Sequence, residues 1–470
     1  MKVKKQARTR VRTGILLAAA QSALLTCAVS RVLAENAPQL DANGHACVAG
    51  KLDGAKQCIP LSQTQKSADH PYREAGASDG RTTGRIGPGF NLVGGRELVY
   101  AAVPGSIIVF DAKPDAHGNR KFNFVKRIVF QDRPAPVPPE LVSAIMASPA
   151  TNMVYVSTRG RLMAIDLTTE KIVWDKTYEP GTCCERGAVT PDGLTLIVGS
   201  DLKDFHRVID AKTGDVKGII KTPLSMFNHN MNLSSDGKTD FAAPNGLTMT
   251  IADVPSLKAI KTITFSDHIR VFVINHDASR IYVNLNNLLG FEIADVKSGK
   301  VIKRIEAPGE MWKAKWADPN LVFFGHGAPM HGIALTPDES EVWIPDAINN
   351  QVLVYDNTGE SPVLNMGKSF KTNGQPNGWI TMGLDGKVAY MASGDVVDVK
   401  SHQIVGQLKD EYGRYMDSEK VLDMTFNDSG HLVRTVNQFA QGDAKAVANR
   451  LAMETSTKQA GNSNPTAGNR

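Results

Sequence analysis

Val208-Ile209-Asp210-Ala211-Lys212-Thr213-Gly214 is a β-branched run closed by an aspartate and followed by turn residues, and this arrangement recurs along the chain. Apolar runs also end in aspartate at Asp111, Asp166, Asp253, Asp295, Asp356 and Asp398, mostly 42 to 44 residues apart. A repeat of roughly 40–45 residues carrying about four strands cannot bury both faces of its sheet alone, so successive repeats must pack around an axis. The period therefore predicts an all-β chain folded as a seven-bladed β-propeller. Asp192-Gly193, Asp236-Gly237 and Asp385-Gly386 supply a turn between the first two strands of a repeat, where φ must be positive, and Thr336-Pro337-Asp338 marks the same place in another.

Two intervals break the rhythm. The stretch between Asp111 and Asp166 contains the proline-rich Pro134 to Pro139, and the stretch before Asp356 contains Pro308 to Ala328 with Trp312, Trp316 and His326, read as a loop over one face. The first aspartate repeat lacks a full inner strand. Val421 to Phe426 and His431 to Val436 resemble the start of a blade with no ending. The two fragments are expected to complete one another, so that strands from both termini close the last blade and remove the free sheet edges. Eight blades stay open if Phe90 to Val93 is a separate inner strand.

The 470 residues divide accordingly into a signal peptide at 1–34, an irregular extension at 35–88, the propeller at 89–441 and a tail at 442–470. The tail is polar and poor in aromatics, and is expected to be a frayed helix running into disorder. The first twelve residues are rich in Lys and Arg and hold no acid. They precede an apolar stretch from Gly14 to about Val29 and the small-residue cleavage signal Val32-Leu33-Ala34. This predicts export, with a periplasmic or secreted mature protein. The apolar stretch falls short of the ~20 residues a spanning helix needs, and no later segment could span a membrane. Much of the formal charge of +5 goes with the leader, which leaves no electrostatic case for nucleic acid.

Four cysteines remain after cleavage: Cys47, Cys58, Cys183 and Cys184. An even count suits an oxidising compartment, and a Cys47–Cys58 disulfide closing a short loop is the favoured pairing. Cys183 and Cys184 are neighbours. Consecutive Cα atoms about 3.8 Å apart lie below the usual disulfide range, so a bond between them would be strained and easily reduced. Two free, buried thiols are the other reading.

The segment His331-Gly332-Ile333-Ala334-Leu335-Thr336-Pro337-Asp338, with Val342-Trp343-Ile344 and Asn349 to Asp356, resembles the YVTN-type β-propeller repeat over roughly residues 90 to 440. The resemblance implies the fold more firmly than an activity, because relatives include lactonase-like propellers, amine dehydrogenase large subunits and binding proteins. Asn275-His276-Asp277 departs from the expected Thr-Pro-Asp. Ala164 to Trp174 also resembles the tryptophan-docking repeat of quinoprotein alcohol dehydrogenases, with Glu170 replacing its glycine, but in a single copy.

The repeats serve as a ruler. Seven residues before the turn position lie His331, His229, Glu185, Arg270 and Ser143, flanked by Cys183, Cys184, Arg186, Asn228, His268 and Asn377. Residues leading into the innermost strands of a propeller meet around the central channel, so these positions are expected to form a polar funnel at one mouth. Its expected occupant is a small ligand or a protein partner. Arg186, Arg270 and the imidazoles could hold a carboxylate or phosphate, with Glu185 setting its orientation. A lactonase-like hydrolase would use His229, His331, Glu185 and Arg186 to activate water and stabilise an oxyanion. Two histidines and a carboxylate could hold a metal, although no local spacing supports one. The vicinal cysteines are the basis of a weaker quinone reading, and the sequence leaves the cofactor unknown. The opposing reading is that His229 and His331 merely donate to loop carbonyls. No glycine-rich phosphate loop, nucleophile elbow or Cys-x-x-Cys motif is present.

Overall fold

The computed structural model describes residues 39–40, 46–49, 56–59, 96–130, 141–158, 160–179, 184, 186–200, 203–222, 228–244, 246–308, 313, 328–373 and 378–462. The chain divides into two compact units, Met1–Glu74 and Ala75–Arg470. In the first, Gln39–Leu40, Ala46–Ala49 and Lys56–Ile59 form a three-stranded antiparallel sheet inside the stretch expected to be irregular. Its register sets Cys47 opposite Cys58.

The second unit is a seven-bladed β-propeller. Blade 1 comprises Val142–Ser148, Met153–Thr158, Arg161–Asp166 and Ile172–Thr177. Blade 2 begins with Gly187–Val189, blade 3 with Asn228–Leu233, blade 4 with Ile269–Ile274, blade 5 with Ala334–Leu335 and blade 6 with Ile380–Met382; each continues outward as consecutive antiparallel strands. Blade 7 joins the two ends of the repeat array. Val421–Phe426 pairs along its whole length with Arg96–Val103, from Val421 opposite Ala101 to Phe426 opposite Arg96, and Ser106–Asp111 and Asn123–Val129 follow outward. Closure by both termini is thus as the sequence suggested, with one correction. The fragment at 431–436 does not supply the blade's second strand; Leu432–Thr435 pairs on the other side of Val421–Phe426. Residues 90–93, the basis for an eighth blade, lie outside the described residues, as do Trp312, Trp316 and His326.

The recurring aspartate is a turn cap. Asp210 Oδ1 accepts the backbone N–H groups of Lys212 and Thr213, and Asp166 Oδ1 those of Thr168 and Thr169. Four residues after the aspartate the chain turns left-handed, at Glu170, Gly214, Leu257, Gly299 and His402. The carboxylate secures a tight hairpin before the outer strand, a local demand met in this way in five of the seven blades. The first turn behaves as expected, with positive φ at Gly193, Gly237, Gly386 and, after Asp338, at Glu339.

Blades adhere through apolar faces joined by a few oriented polar groups. Trp174 on the outer strand of blade 1 donates its indole N–H to Ala211 O of blade 2 at 3.2 Å, so the single tryptophan-docking segment does dock. Between blades 5 and 6, buried Trp343 meets Phe370 edge-on, and Glu341 accepts from the Trp343 indole, from His402 and from Lys368.

The channel is filled by the chain's own C-terminal segment. Leu432–Thr435 runs back along the inner strand of blade 7, after which Val436 N–H donates to Asp423 O. Gln438 Nε2 then donates to Gly187 O of blade 2, Leu335 N–H of blade 5 to Ala440 O, Gly442 N–H to Ile274 O of blade 4, and Asp443 N–H to Pro337 O. Only the axis adjoins the inner strands of so many blades. The contacts pass from the start of those strands, at Gly187, to their ends, at Ile274 and Pro337, so the segment traverses the channel lengthwise. Helix α1, Ala444–Asn462, continues from it at the beginning of the tail, where a frayed helix was expected. Arg450 Nε anchors it to Asp338 O at 2.8 Å. No helix among the described residues is long and apolar enough to cross a membrane.

Candidate functional site at the channel mouth

The connections that lead into the inner strands carry the mouth residues. Arg186 stands immediately before the inner strand of blade 2, His331 before that of blade 5, Trp379 before that of blade 6, and Glu419 and Lys420 before that of blade 7. Glu419 is their hub. Its Oε2 accepts from Arg186 Nη2 at 3.3 Å and from Lys420 Nζ at 2.9 Å, while Oε1 lies 3.4 Å from His331 Nδ1. Of the sequence candidates, His331, a ruler position, and Arg186, next to the ruler position Glu185, thus both lie within reach of Glu419, a carboxylate that the sequence reading did not single out.

Close backbone approach makes this convergence possible. A Cβ on Gly332 would sit 2.4 Å from Gly378 O, and one on Gly378 would sit 3.1 Å from Glu419 Oε1. Glycine at these two places lets the connections of blades 5 and 6 press together beside the carboxylate.

Arg186 is the most informative side chain. It is 2% exposed, and its guanidinium lies over the Trp379 ring with Cζ 4.1 Å from the centroid. Stacking and the ion pair hold the cation, yet Nε and Nη1 are buried without an acceptor among the described residues. Leaving a buried donor unsatisfied costs about 1–3 kcal/mol, more for a charged group. Beneath Arg186, Trp379 donates its indole N–H to Gln438 O, and its ring lies 5.9 Å from that of Phe439. The site thus combines a cation with two buried N–H groups that no described residue accepts from, a carboxylate, an imidazole and an aromatic plate.

The other expected site residues separate from this hub or lie outside the description. Asn228 Nδ2 donates to Thr222 Oγ1 and Lys203 O, fastening the turn between blades 2 and 3. Arg270 bonds Asn286 through Nε, and burial pushes its guanidinium below the ordinary range. His268 is half exposed with Nδ1 3.1 Å from Asp267 rather than at Glu419. Ser143 is buried on the inner strand of blade 1. Cys184 is disulfide-bonded and fully buried among Met146, Leu162, Trp174 and Val198, between blades 1 and 2. Cys183, Glu185 and Asn377 lie outside the described residues, and so does the side chain of His229, whose backbone belongs to the inner strand of blade 3. Among the described residues no group of three or more His, Cys, Asp and Glu could hold a metal ion.

A second buried polar pair sits between blades 2 and 3. His206 Nδ1 is 2.7 Å from Asp240 Oδ2, and both side chains are wholly inaccessible. His206 Nε2 lies 3.6 Å from the place a Cβ would take on Gly199, itself 3.4 Å from Arg186 O.

No family model matches the chain, and no curated protein matches it. Among solved structures it is similar to a chain of the Kuenenia stuttgartiensis hydrazine synthase, at 17% identity and a TM-score of 0.37, the match covering 58% of this chain and 98% of that one. The blade assignment rests on the strand registers described above, and the YVTN resemblance on the repeat residues themselves.

Proposed function

We propose that this chain is an exported β-propeller that binds a small anionic ligand, a carboxylate or a phosphate, at the channel mouth. The observation that carries the reading is the buried Arg186 with two N–H groups lacking an acceptor among the described residues. An oxyanion received there forms charge-assisted hydrogen bonds in a place shielded from water. Trp379 and Glu419 already fix the guanidinium, so little ordering is left for the ligand to impose.

The test is calorimetric titration of the mature protein with acetate, benzoate and inorganic phosphate. Each charge-assisted bond is worth about 1.5–3 kcal/mol, so Arg186→Ala should weaken binding of the accepted anion by roughly 100-fold or more. Equal binding by the variant would overturn the assignment.

A hydrolase is the second reading, and one observation favours it: His331 and Glu419 stand together beside the open donors of Arg186. The pair could take a proton from water while Arg186 receives the developing oxyanion. Turnover of a simple lactone that falls with His331→Gln at unchanged anion affinity would support it; no turnover of such esters leaves binding alone.

Export and oxidation belong to the same proposal. Directly opposed positions of an antiparallel pair bring Cα atoms to about 4.5–5.5 Å, within the range a disulfide spans, so the facing of Cys47 and Cys58 supports that bridge. Intact-mass measurement after export should show a chain beginning at Glu35 with Cys47 and Cys58 resistant to alkylation; a retained leader or alkylation at both would count against it.

A further inference from the structure

The segment that fills the channel also supports the mouth. Trp379, the plate beneath Arg186, is held by two of its residues: Gln438 O accepts the indole N–H, and the Phe439 ring lies 5.9 Å away at 58°. Gln438 reaches the other side as well, donating from Nε2 at 3.4 Å to the carbonyl of Gly187, the residue that follows Arg186. One short stretch therefore touches both the aromatic support of the guanidinium and the backbone next to it. Beyond these two residues the stretch is fixed by main-chain bonds to blades 4 and 5, at Ile274, Leu335 and Pro337.

We propose that Gln438 and Phe439 are positioning residues for Arg186, and that residues 436–443 form the floor of the mouth, closing it to ligand from the opposite face. The inference rests on the anion-binding reading above for its consequence, not for its geometry. An arginine side chain has many rotamers, and holding its planar fork against a fixed ring removes most of them before a ligand arrives. The floor also explains the ligand's size class. A channel open at both ends could admit a chain, whereas a mouth closed by Gln438 and Phe439 accepts something short.

The experiment uses the full mature protein labelled with 5-fluorotryptophan, the Trp379 resonance being assigned by its loss in Trp379→Phe. Phe439→Ala and Gln438→Ala are compared with Val447→Ala, which trims a buried residue of α1 away from Trp379. Phe439→Ala should shift the Trp379 resonance and raise the dissociation constant for whichever of benzoate or phosphate the wild type binds by about tenfold, as loss of a supporting contact does at other preorganised sites. Gln438→Ala should act in the same direction, Phe439→Tyr should restore affinity, and Val447→Ala should leave both readouts unchanged. An unmoved Trp379 resonance in both Phe439→Ala and Gln438→Ala, or equal weakening by Val447→Ala, overturns the proposal. If the wild type binds none of the probes, the ligand reading fails, and the Trp379 resonance still decides whether the segment positions the plate.

Discussion

Asp423 gives a pH dependence whose sign and size follow from its surroundings. It lies on the inner strand of blade 7, wholly buried, with Oδ2 accepting from Leu384 N–H at 3.0 Å and from the Tyr390 hydroxyl at 3.3 Å. Its Oδ1 has no partner among the described residues. Burial, reinforced by the negative charge of Glu97, pushes the carboxyl from 3.8 up to about 7. The folded state therefore prefers the protonated acid. Its contribution is fully present below the unfolded value near 3.8 and is lost as pH rises through about 7. Between pH 5 and pH 8 the linkage integral amounts to about 2–3 kcal/mol.

An asparagine side chain does not titrate and resembles the protonated acid in shape, so Asp423→Asn should remove this slope. Urea unfolding of both proteins at pH 5 and pH 8 measures the effect, because titrations elsewhere cancel in the difference between wild type and variant. The variant should gain about 2–3 kcal/mol on the wild type between the two pH values. An unchanged difference, or a gain at pH 5 instead, refutes the argument that burial of this carboxyl governs the window.

Other outcomes follow from the blade contacts. Gly214→Ala places a Cβ at φ +74° and 2.8 Å from the Trp174 ring, so thermal unfolding should show a loss of about 1–3 kcal/mol; an unaltered melting temperature contradicts that packing. Trp174→Phe keeps the ring but removes the bond to Ala211 O, and should cost about 1 kcal/mol in the same assay. Glu341→Ala leaves His402, Lys368 and the Trp343 indole without their shared acceptor, and should destabilise by about 3–5 kcal/mol. A loss below about 1 kcal/mol there would mean that the blade 5–6 contact is apolar in substance.

The aspartate period was legible because the cap is local. Asp210 bonds backbone groups two and three residues on, and the left-handed residue comes one later, so the chemistry fits inside one short window of sequence. His331 was legible because a fixed count from the first turn leads to it, and Arg186 because it adjoins Glu185, the position that the same count marks in blade 2. Glu419 was not. It lies in the connection before blade 7, further ahead of the first turn at Asn427 to Gly430 than the ruler's offset reaches, and nothing in its own window marks it as the partner of blades 2 and 5. The filled channel was hidden for the same reason. Gln438, Phe439 and Ala440 have meaning only through carbonyl and N–H groups on blades 2, 5 and 6. The misplaced strand at 431–436 reflects competition between two partners for Val421–Phe426, which has two edges: Arg96–Val103 takes the outer one along its whole length, and Leu432–Thr435 takes the other across a register shift.

The central claim is that the open donors of Arg186 receive an anion. Crystals of the mature protein soaked in selenate, whose anomalous signal locates the ion directly, test it most plainly. The account predicts an anion within hydrogen-bonding distance of Arg186 Nε or Nη1, over the edge of Trp379, and no such peak in Arg186→Ala crystals. Both donors satisfied by protein groups, with selenate absent from the mouth, would contradict it.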